Sequence, residues 1–399
     1  MAYEPLHHKY RPQTLADLVG QEAIATTLSQ ALTTNRIAPA YLLTGSRGTG
    51  KTSTARILAK SLNCLAHGGP TPHPCGTCEM CVAIAKGAAL DVSEIDAASN
   101  TGVDNIREII ERAQFAPVRA RYKVYAIDEC HMLSTAAFNA LLKTLEEPPP
   151  HVVFILATTD PQRVLPTIVS RCQRFDFRRI PPAAAIAHLR HIADQEHIAI
   201  DEQALRLVVQ LSQGGLRDAE SLLDQLSLLT GEITPTQVWD LVGVVPEQDL
   251  LRLMTLIRQG QGAEAIALVR RIADRGREPM VILQNLAGLY RDLLIAKTAP
   301  DRPELVALSA EGWAQLQTLA DTYSMSEIVA AQTQLRQGEP QLRQTTQPRL
   351  WLEITLASLL PGTQLLAATP MAAVAPISAP SATPMATAAP VSAPSAAPV

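Results

Sequence analysis

A chain of 399 residues, 47% of them hydrophobic and with a formal net charge of −4, holds material for roughly two to four domains of about 100–200 residues each. No apolar run approaches the ~18–20 residues of a membrane span, and the opening Met-Ala-Tyr-Glu-Pro-Leu-His-His-Lys-Tyr lacks the apolar centre of a secretory signal, so the expectation is a soluble cytoplasmic protein with no membrane partner. The charge balance does not advertise a nucleic-acid binder, although binding depends on where positive residues sit rather than on their sum.

From the start to about Ile180, short β-type runs alternate with helical patterns. The runs are Tyr41–Thr44, Val92–Ile95, Val124–Ile127, Val152–Leu156 and Phe175–Phe177. Such alternation predicts an α/β domain, a parallel sheet with helices on both faces, whose ligand binds at the carboxyl ends of the strands. The first run leads into Gly45-Ser46-Arg47-Gly48-Thr49-Gly50-Lys51-Thr52, followed by a helical segment with Ala55, Leu58, Ala59 and Leu62 on one face. Strand, glycine-rich turn and helix N-terminus form a complete phosphate-binding loop. Its backbone N–H groups curl inward, Lys51 reaches the β- and γ-phosphates, and the Thr52 hydroxyl sits on Mg²⁺. ATP or GTP is the expected ligand.

Four of the six cysteines follow directly: Cys64, Cys75, Cys78 and Cys81. In a cytosolic chain this clustering argues for metal rather than disulfides. Two overlapping C-x-x-C steps bring three sulfurs close, and Cys64 supplies the fourth for a closed, structural tetrahedral site. Zinc is the expected metal, with reduced free thiols or an iron site as alternatives and His67 or His73 as alternatives to Cys64. Cys130 and Cys172 lie apart and are expected to pack in the core.

The run Val124–Ile127 ends in Asp128 and Glu129. Asp128 would hold Mg²⁺ and Glu129 would orient and activate the attacking water, the minimum set for phosphoryl transfer. Thr159 ends the next strand, where a hydroxyl could touch the γ-phosphate or that water. Arg171, in Ser170-Arg171-Cys172, could reach a neighbouring subunit's nucleotide if it lies at a subunit edge. Pro181-Pro182 then marks a break. Residues 181–245 are expected to form a lid of three short helices, with Ala204–Leu211 and Leu216–Leu229 the clearest, and Arg217 could fold back onto the nucleotide. Residues 246–360 stay helical, broken at Gly260–Gly262, Gly276 and Pro300–Pro303. Beyond Pro361 the Ala-, Pro- and Ser-rich sequence carries no charge and is expected to be disordered.

Taken together, these residues resemble the tau/gamma family of bacterial DNA polymerase III clamp-loader subunits, which are AAA+ ATPases. The likeness covers roughly residues 1–230. It includes Tyr10-Arg11-Pro12-Gln13 with Gly20-Gln21, Gly45–Thr52, the cysteine cluster, and Glu94-Ile95-Asp96-Ala97-Ala98-Ser99. It continues through Ile127-Asp128-Glu129-Cys130-His131-Met132, Phe138–Pro149, Ala157-Thr158-Thr159-Asp160, Ser170-Arg171-Cys172 and Leu216-Arg217-Asp218. The resemblance implies an AAA+ domain over 1–180 with a zinc insertion, a helical lid over 181–245, a helical oligomerisation collar over 246–360 and a tail over 361–399. It implies ATP as substrate, Thr159 as sensor 1, Arg171 as an arginine finger acting in trans, Arg217 as sensor 2, Tyr10 and Arg11 beside the adenine, and zinc on the four cysteines.

The implied partners are further copies of the chain, delta and delta-prime subunits, the sliding clamp and primer–template DNA. Polymerase core and helicase would engage further C-terminal regions that these residues do not include. Three departures stand out: Gly214-Gly215 where Gly-Ser is usual, Cys130 where Val or Ala is frequent, and no basic residue between Asn100 and Arg107. DNA contact there would lean on backbone N–H groups and Arg107. Two other readings are a branch-migration motor, disfavoured by the cysteine cluster, and a non-hydrolysing scaffold, disfavoured by an intact Lys51, Thr52 and Glu129.

Overall fold

The computed structural model describes residues 3–99, 101–242, 245–306 and 308–361, so the tail expected to be disordered lies, beyond Pro361, outside the described residues. The chain divides into two compact units, Met1–Glu247 with Pro303–Ser309, and Gln248–Arg302 with the chain from Ala310 onward. Among the described residues no helix is long and apolar enough to cross a membrane.

The first unit opens with a short helix α1 (Leu6–Lys9) and α2 (Glu22–Thr33), then β1 (Ala40–Gly45), α3 (Lys51–Asn63), α4 (Glu79–Ala85) and β2 (Val92–Asp96). It continues with α5 (Val103–Ala113), β3 (Lys123–Asp128), α6 (Thr135–Glu146), β4 (Val152–Thr158), α7 (Pro166–Val169) and β5 (Gln173–Phe177). Each strand expected from the sequence is present and extends by one to two residues at its ends. The sheet is parallel throughout in the order β2-β3-β4-β1-β5. The chain leaves β1 toward the β2 edge and leaves β4 toward the β5 edge. The adjoining C-terminal ends of β1 and β4 are therefore a topological switch point, where such sheets place ligands.

Period-two alternation explains why both faces are covered. Tyr41 and Leu43 of β1, with Val153 and Ile155 of β4, pack on Leu28, Ile57, Leu58 and Ile84 from α2, α3 and α4. Their neighbours Leu42, Phe154 and Leu156 face Ile106, Phe138, Leu141 and Ile168 from α5, α6 and α7. Removing a wholly buried ring such as Phe154 would cost about 3–5 kcal/mol.

Among the described residues of the lid there are four helices rather than the expected three: α8 (Pro182–Gln195), α9 (Glu202–Leu211), α10 (Leu216–Leu226) and α11 (Pro235–Val242). Pro182 opens α8 at a position where the missing N–H costs no hydrogen bond. The break at the proline pair is thus a helix start. Leu189, Ile192, Leu205, Val208, Leu223 and Val238 form the lid core, and Leu6 of α1 packs into it.

Among its described residues the second unit is helical and has no strand: α12 (Glu247–Arg258), α13 (Gly262–Asp274), α14 (Pro279–Thr298), α15 (Ala310–Thr322), α16 (Met325–Gln344) and α17 (Pro348–Ser358). A capping box starts α16, with Ser324 and Glu327 satisfying each other's backbone N–H. Gly338 of α16 faces Thr355 of α17, where a Cβ would lie 2.8 Å from the Thr355 hydroxyl. Arg270 and Glu353 join α13 to α17 through two hydrogen bonds of 2.7 and 2.8 Å.

Candidate active site

At the end of β1 the backbone turns through three positive-φ glycines, Gly45, Gly48 and Gly50. A Cβ on Gly45 would lie 2.4 Å from the Phe177 carbonyl oxygen, so the turn requires the absence of a side chain. Gly50 caps α3, whose first residues are Lys51 and Thr52. Lys51 Nζ donates to the carbonyls of Gly45 and Ser46, both at 2.9 Å, which holds the buried amine at the mouth of the loop. Burial lowers its pKa, while Glu129 and Asp128 oppose the shift. The loop thus presents backbone N–H groups, a helix N-terminus and a cation in one place, the chemistry of a polyphosphate site.

β3 delivers the carboxylates. Thr52 Oγ1 donates to Asp128 Oδ2 at 2.7 Å, so the two expected Mg²⁺ ligands from different elements are already adjacent. Hydroxyl and carboxylate oxygens suit Mg²⁺, which takes few protein ligands alongside substrate phosphate oxygens. Glu129 has a left-handed backbone, φ +46°. Its Oε2 accepts from the Thr159 N–H at 3.2 Å and from Thr159 Oγ1 at 2.9 Å. His131 Nδ1 lies 3.3 Å from the same oxygen and 3.0 Å from Thr158 Oγ1. The expected water-handling acid and the expected sensor hydroxyl therefore touch, with His131 as a third partner.

The lid closes the other side of a cleft of about 350 Å³ lined by the loop from Arg47 to Ser53, Asp128, Glu129, Tyr10, Arg11 and Arg217. Leu216 N–H donates to the Gly48 carbonyl at 3.0 Å, seating the start of α10 directly on the phosphate loop. Tyr10 Oη donates to Glu196 at 2.5 Å, and burial, followed by that bond, pushes the phenol up to about 12. Arg171 stands elsewhere. Its guanidinium donates to the Thr167 carbonyl at 2.7 Å and pairs with Glu146, joining α7 to α6. Among the described residues lining the cleft it has no place. Arg107 pairs with Asp104 at 3.2 Å on the exposed face of α5, and Asn100 lies outside the described residues.

Two residues on the cleft wall, His188 and Glu220, gave no sign in the sequence, and Gln21 figured there only within Gly20-Gln21, with no partner named. Gln21 brackets Arg178, donating to its carbonyl at 2.7 Å and accepting its N–H at 3.3 Å, and so fixes the N-terminal segment to the end of the sheet. His188 and Glu220, from α8 and α10, form a part-buried 2.9 Å pair on the cleft wall. Burial raises the Glu220 carboxyl pKa against the opposing pull of His188.

The Sγ atoms of Cys64, Cys75, Cys78 and Cys81 all lie within 4.8 Å of one another. A tetrahedral thiolate site with metal–sulfur bonds of ~2.3 Å needs sulfurs ~3.8 Å apart, a modest contraction. The backbone already favours thiolates: Cys75 N–H points at Cys64 Sγ (3.3 Å), Cys78 N–H at Cys75 Sγ (3.2 Å) and Cys81 N–H at Cys78 Sγ (3.5 Å). The Cys78 N–H, then that of Thr77, pulls the Cys75 thiol down to about 6. His67 and His73 are exposed, and Cys64 is the fourth member of the group.

The knuckle is tied to the sheet by residues the sequence did not flag. Asn63 accepts the N–H groups of Arg121 and Tyr122, and Arg121 donates to the Leu62 and Cys64 carbonyls at 3.1 and 2.6 Å. Asp91 accepts three N–H groups, from Val118, Arg119 and Ala120. Cys130 and Cys172 pack in the core, as expected.

Three family models match successive parts of the chain. They are the DNA polymerase III delta subunit over residues 20–181, the DNA polymerase III clamp loader subunit ATPase lid domain over 185–229, and domain III of DNA polymerase III subunits gamma and tau over 233–370. The chain is 40% identical over 367 residues to DNA polymerase III subunit tau of Bacillus subtilis, covering 90% of this chain and 63% of that one. It is 40% identical over 363 residues to subunit tau of Escherichia coli, covering 90% and 56%. It is 37% identical over 361 residues to DNA polymerase III subunit gamma of Buchnera aphidicola, covering 90% and 99%. The chain thus spans about three fifths of the tau relatives and nearly the whole of the gamma relative.

Proposed function

The chain belongs to the gamma/tau family of DNA polymerase III subunits, and on that premise we propose that it is an ATP-hydrolysing ring subunit that loads a sliding clamp onto primed DNA. The observation that carries this reading is the convergence in one cleft of Lys51, Thr52, Asp128, Glu129 and Arg217, drawn from both sheet and lid. Gly45–Thr52 would hold the triphosphate, with Tyr10 and Arg11 beside the base. Bound Mg²⁺, on Thr52 and Asp128, would supply neutralisation of developing phosphate charge. Glu129 would accept the proton of the attacking water, and Thr159 would hold Glu129 in register. Arg217, carried on a helix that starts against Gly48, would link phosphate occupancy to lid position.

Arg171 would act on the neighbouring subunit's nucleotide, which fits its place outside its own cleft. A ring of further copies with delta and delta-prime subunits would put each Arg171 beside a neighbour's cleft, with helices α12 to α17 as the collar. Clamp and primer–template DNA are the substrates of that ring, and the compartment is the cytoplasm. The four cysteines would hold zinc as a structural element, remote from the chemistry.

The test is steady-state ATP hydrolysis by this chain reconstituted with delta, delta-prime and clamp, with and without primed DNA. Stimulation that needs both clamp and primer junction is expected. Turnover indifferent to the clamp would point to another DNA motor, and no turnover would leave a nucleotide-binding scaffold.

A further inference from the structure

The cleft has two chemically different ends. Lys51, Thr52 and Asp128 make one end, where phosphates bind. Helix α10 begins on that end, and Glu220 follows Leu216 by four residues, about 6 Å along the helix axis. Around it the lining turns apolar, with Val19, Ile180 and Leu216. Sunk among these is the His188–Glu220 pair, whose side chains are 18% and 8% exposed.

This pair has no part in the chemistry proposed above, and the lid core beside it is aliphatic. Packing alone would be served as well by two apolar side chains, because sheltering polar groups from water costs hydration that one mutual hydrogen bond barely returns. Among the described residues the hydrogen-bond partner of Glu220 is His188, which engages Oε1. That leaves Oε2 to the cleft that the side chain lines. A carboxylate oxygen there accepts hydrogen bonds and offers none.

We propose that the His188–Glu220 pair selects the nucleobase, with Glu220 accepting the exocyclic amine of adenine and His188 positioning the carboxylate. This rests on the nucleotide-hydrolysis reading of the same cleft. A triphosphate anchored on the loop extends its base toward the apolar end, where the amine of adenine offers a donor. Guanine presents a carbonyl at the same ring position, lone pair facing lone pair. A site that hydrogen-bonds one group rejects an analogue unable to make that bond, because its own polar atom is then left unpaired.

The experiment is equilibrium binding of ATP, GTP and dATP with Mg²⁺ to the full chain, by displacement of a fluorescent ATP analogue. Glu220→Leu should weaken ATP by about tenfold or more while GTP stays level or tightens, so that the ATP-over-GTP preference collapses. Glu220→Gln is nearly isosteric and can turn an N–H toward a carbonyl. It should lower the same preference by a smaller factor, and it carries the test if thermal melting shows the leucine variant unfolded. His188→Gln should fall between wild type and Glu220→Leu.

An unchanged preference in both Glu220 variants would overturn the proposal. Equal losses of ATP and GTP would also overturn it, making the pair a determinant of lid position. A loss of ATP that spares dATP would move the contact to the ribose 2′-hydroxyl. Lys51→Ala serves as the control and should lose ATP and GTP together. Wild-type protein that binds no nucleotide would sink the hydrolysis reading and this inference with it.

Discussion

The two ends of α3 carry two constructions that differ in how they are assembled. At its N-terminus the cleft gathers residues from the phosphate loop, β3, the N-terminal segment and the lid. At its C-terminus, thirteen residues or ~20 Å away, the cysteine knuckle is a local fold between Cys64 and Cys81, braced by Asn63 and Arg121. The helix macrodipole suits the first end, where it favours anions. A site gathered from distant segments is vulnerable in its geometry, whereas a local one is vulnerable in its ligands. Variants in the first should therefore change turnover and leave folding intact, and variants in the second should do the reverse.

The largest effect should come from the residue that stands outside its own cleft. Arg171→Ala should lower DNA-stimulated ATP hydrolysis of the reconstituted ring by about 10³–10⁵ while ATP binding stays close to wild type. Parallel loss of binding would place Arg171 among the structural contacts of α6 and α7 and blur the distinction. Glu129→Gln should reduce turnover by about 10²–10⁴, again with nucleotide binding retained, in single-turnover assays.

Across the helix, Cys78→Ser or chelation should drop zinc below half an equivalent by metal analysis. It should also lower unfolding free energy by about 3 kcal/mol, with ATP affinity little changed. Asp91→Asn probes the brace beside the knuckle and should cost about 1–2 kcal/mol in denaturant melts. Burial pushes the Asp91 carboxyl up, but the N–H groups of Arg119, Val118 and Ala120 outweigh it and hold the pKa below the ordinary 3.8. Its folded value being depressed, its contribution is complete above pH ~4 and fades as pH falls through the lower folded value. The wild-type advantage over Asp91→Asn should therefore vanish in strong acid, and an advantage that grew on acidification would contradict the assignment.

Legibility followed the same division between local and gathered. Strands announced themselves because each is a short apolar run bounded by turn residues, and Gly45–Thr52 because its whole mechanism is contiguous. The cysteine spacing likewise carried its own geometry. Arg171 had meaning only through family resemblance, since nothing local distinguishes it from a solvated arginine. Residues 181–245 read as three helices where the described residues form four, because helices this short carry weak periodicity, and the proline pair that breaks the pattern also opens α8. His188, Glu220 and Asn63 were invisible because each gains its role from a partner distant in sequence. No periodicity or motif records that a glutamate in one helix will meet a histidine in another.

The left-handed backbone at Glu129 carries a further consequence. A residue with a Cβ pays of order 1–3 kcal/mol to sit there, whereas glycine pays nothing and asparagine little. Chemistry and conformation therefore pull this one position toward different amino acids. Populations of this chain selected only for heat resistance should drift to glycine or asparagine at 129, gaining robustness as they fall silent. Those required to turn over ATP should hold glutamate, so the ratio between the two outcomes would report how strongly catalysis is being demanded.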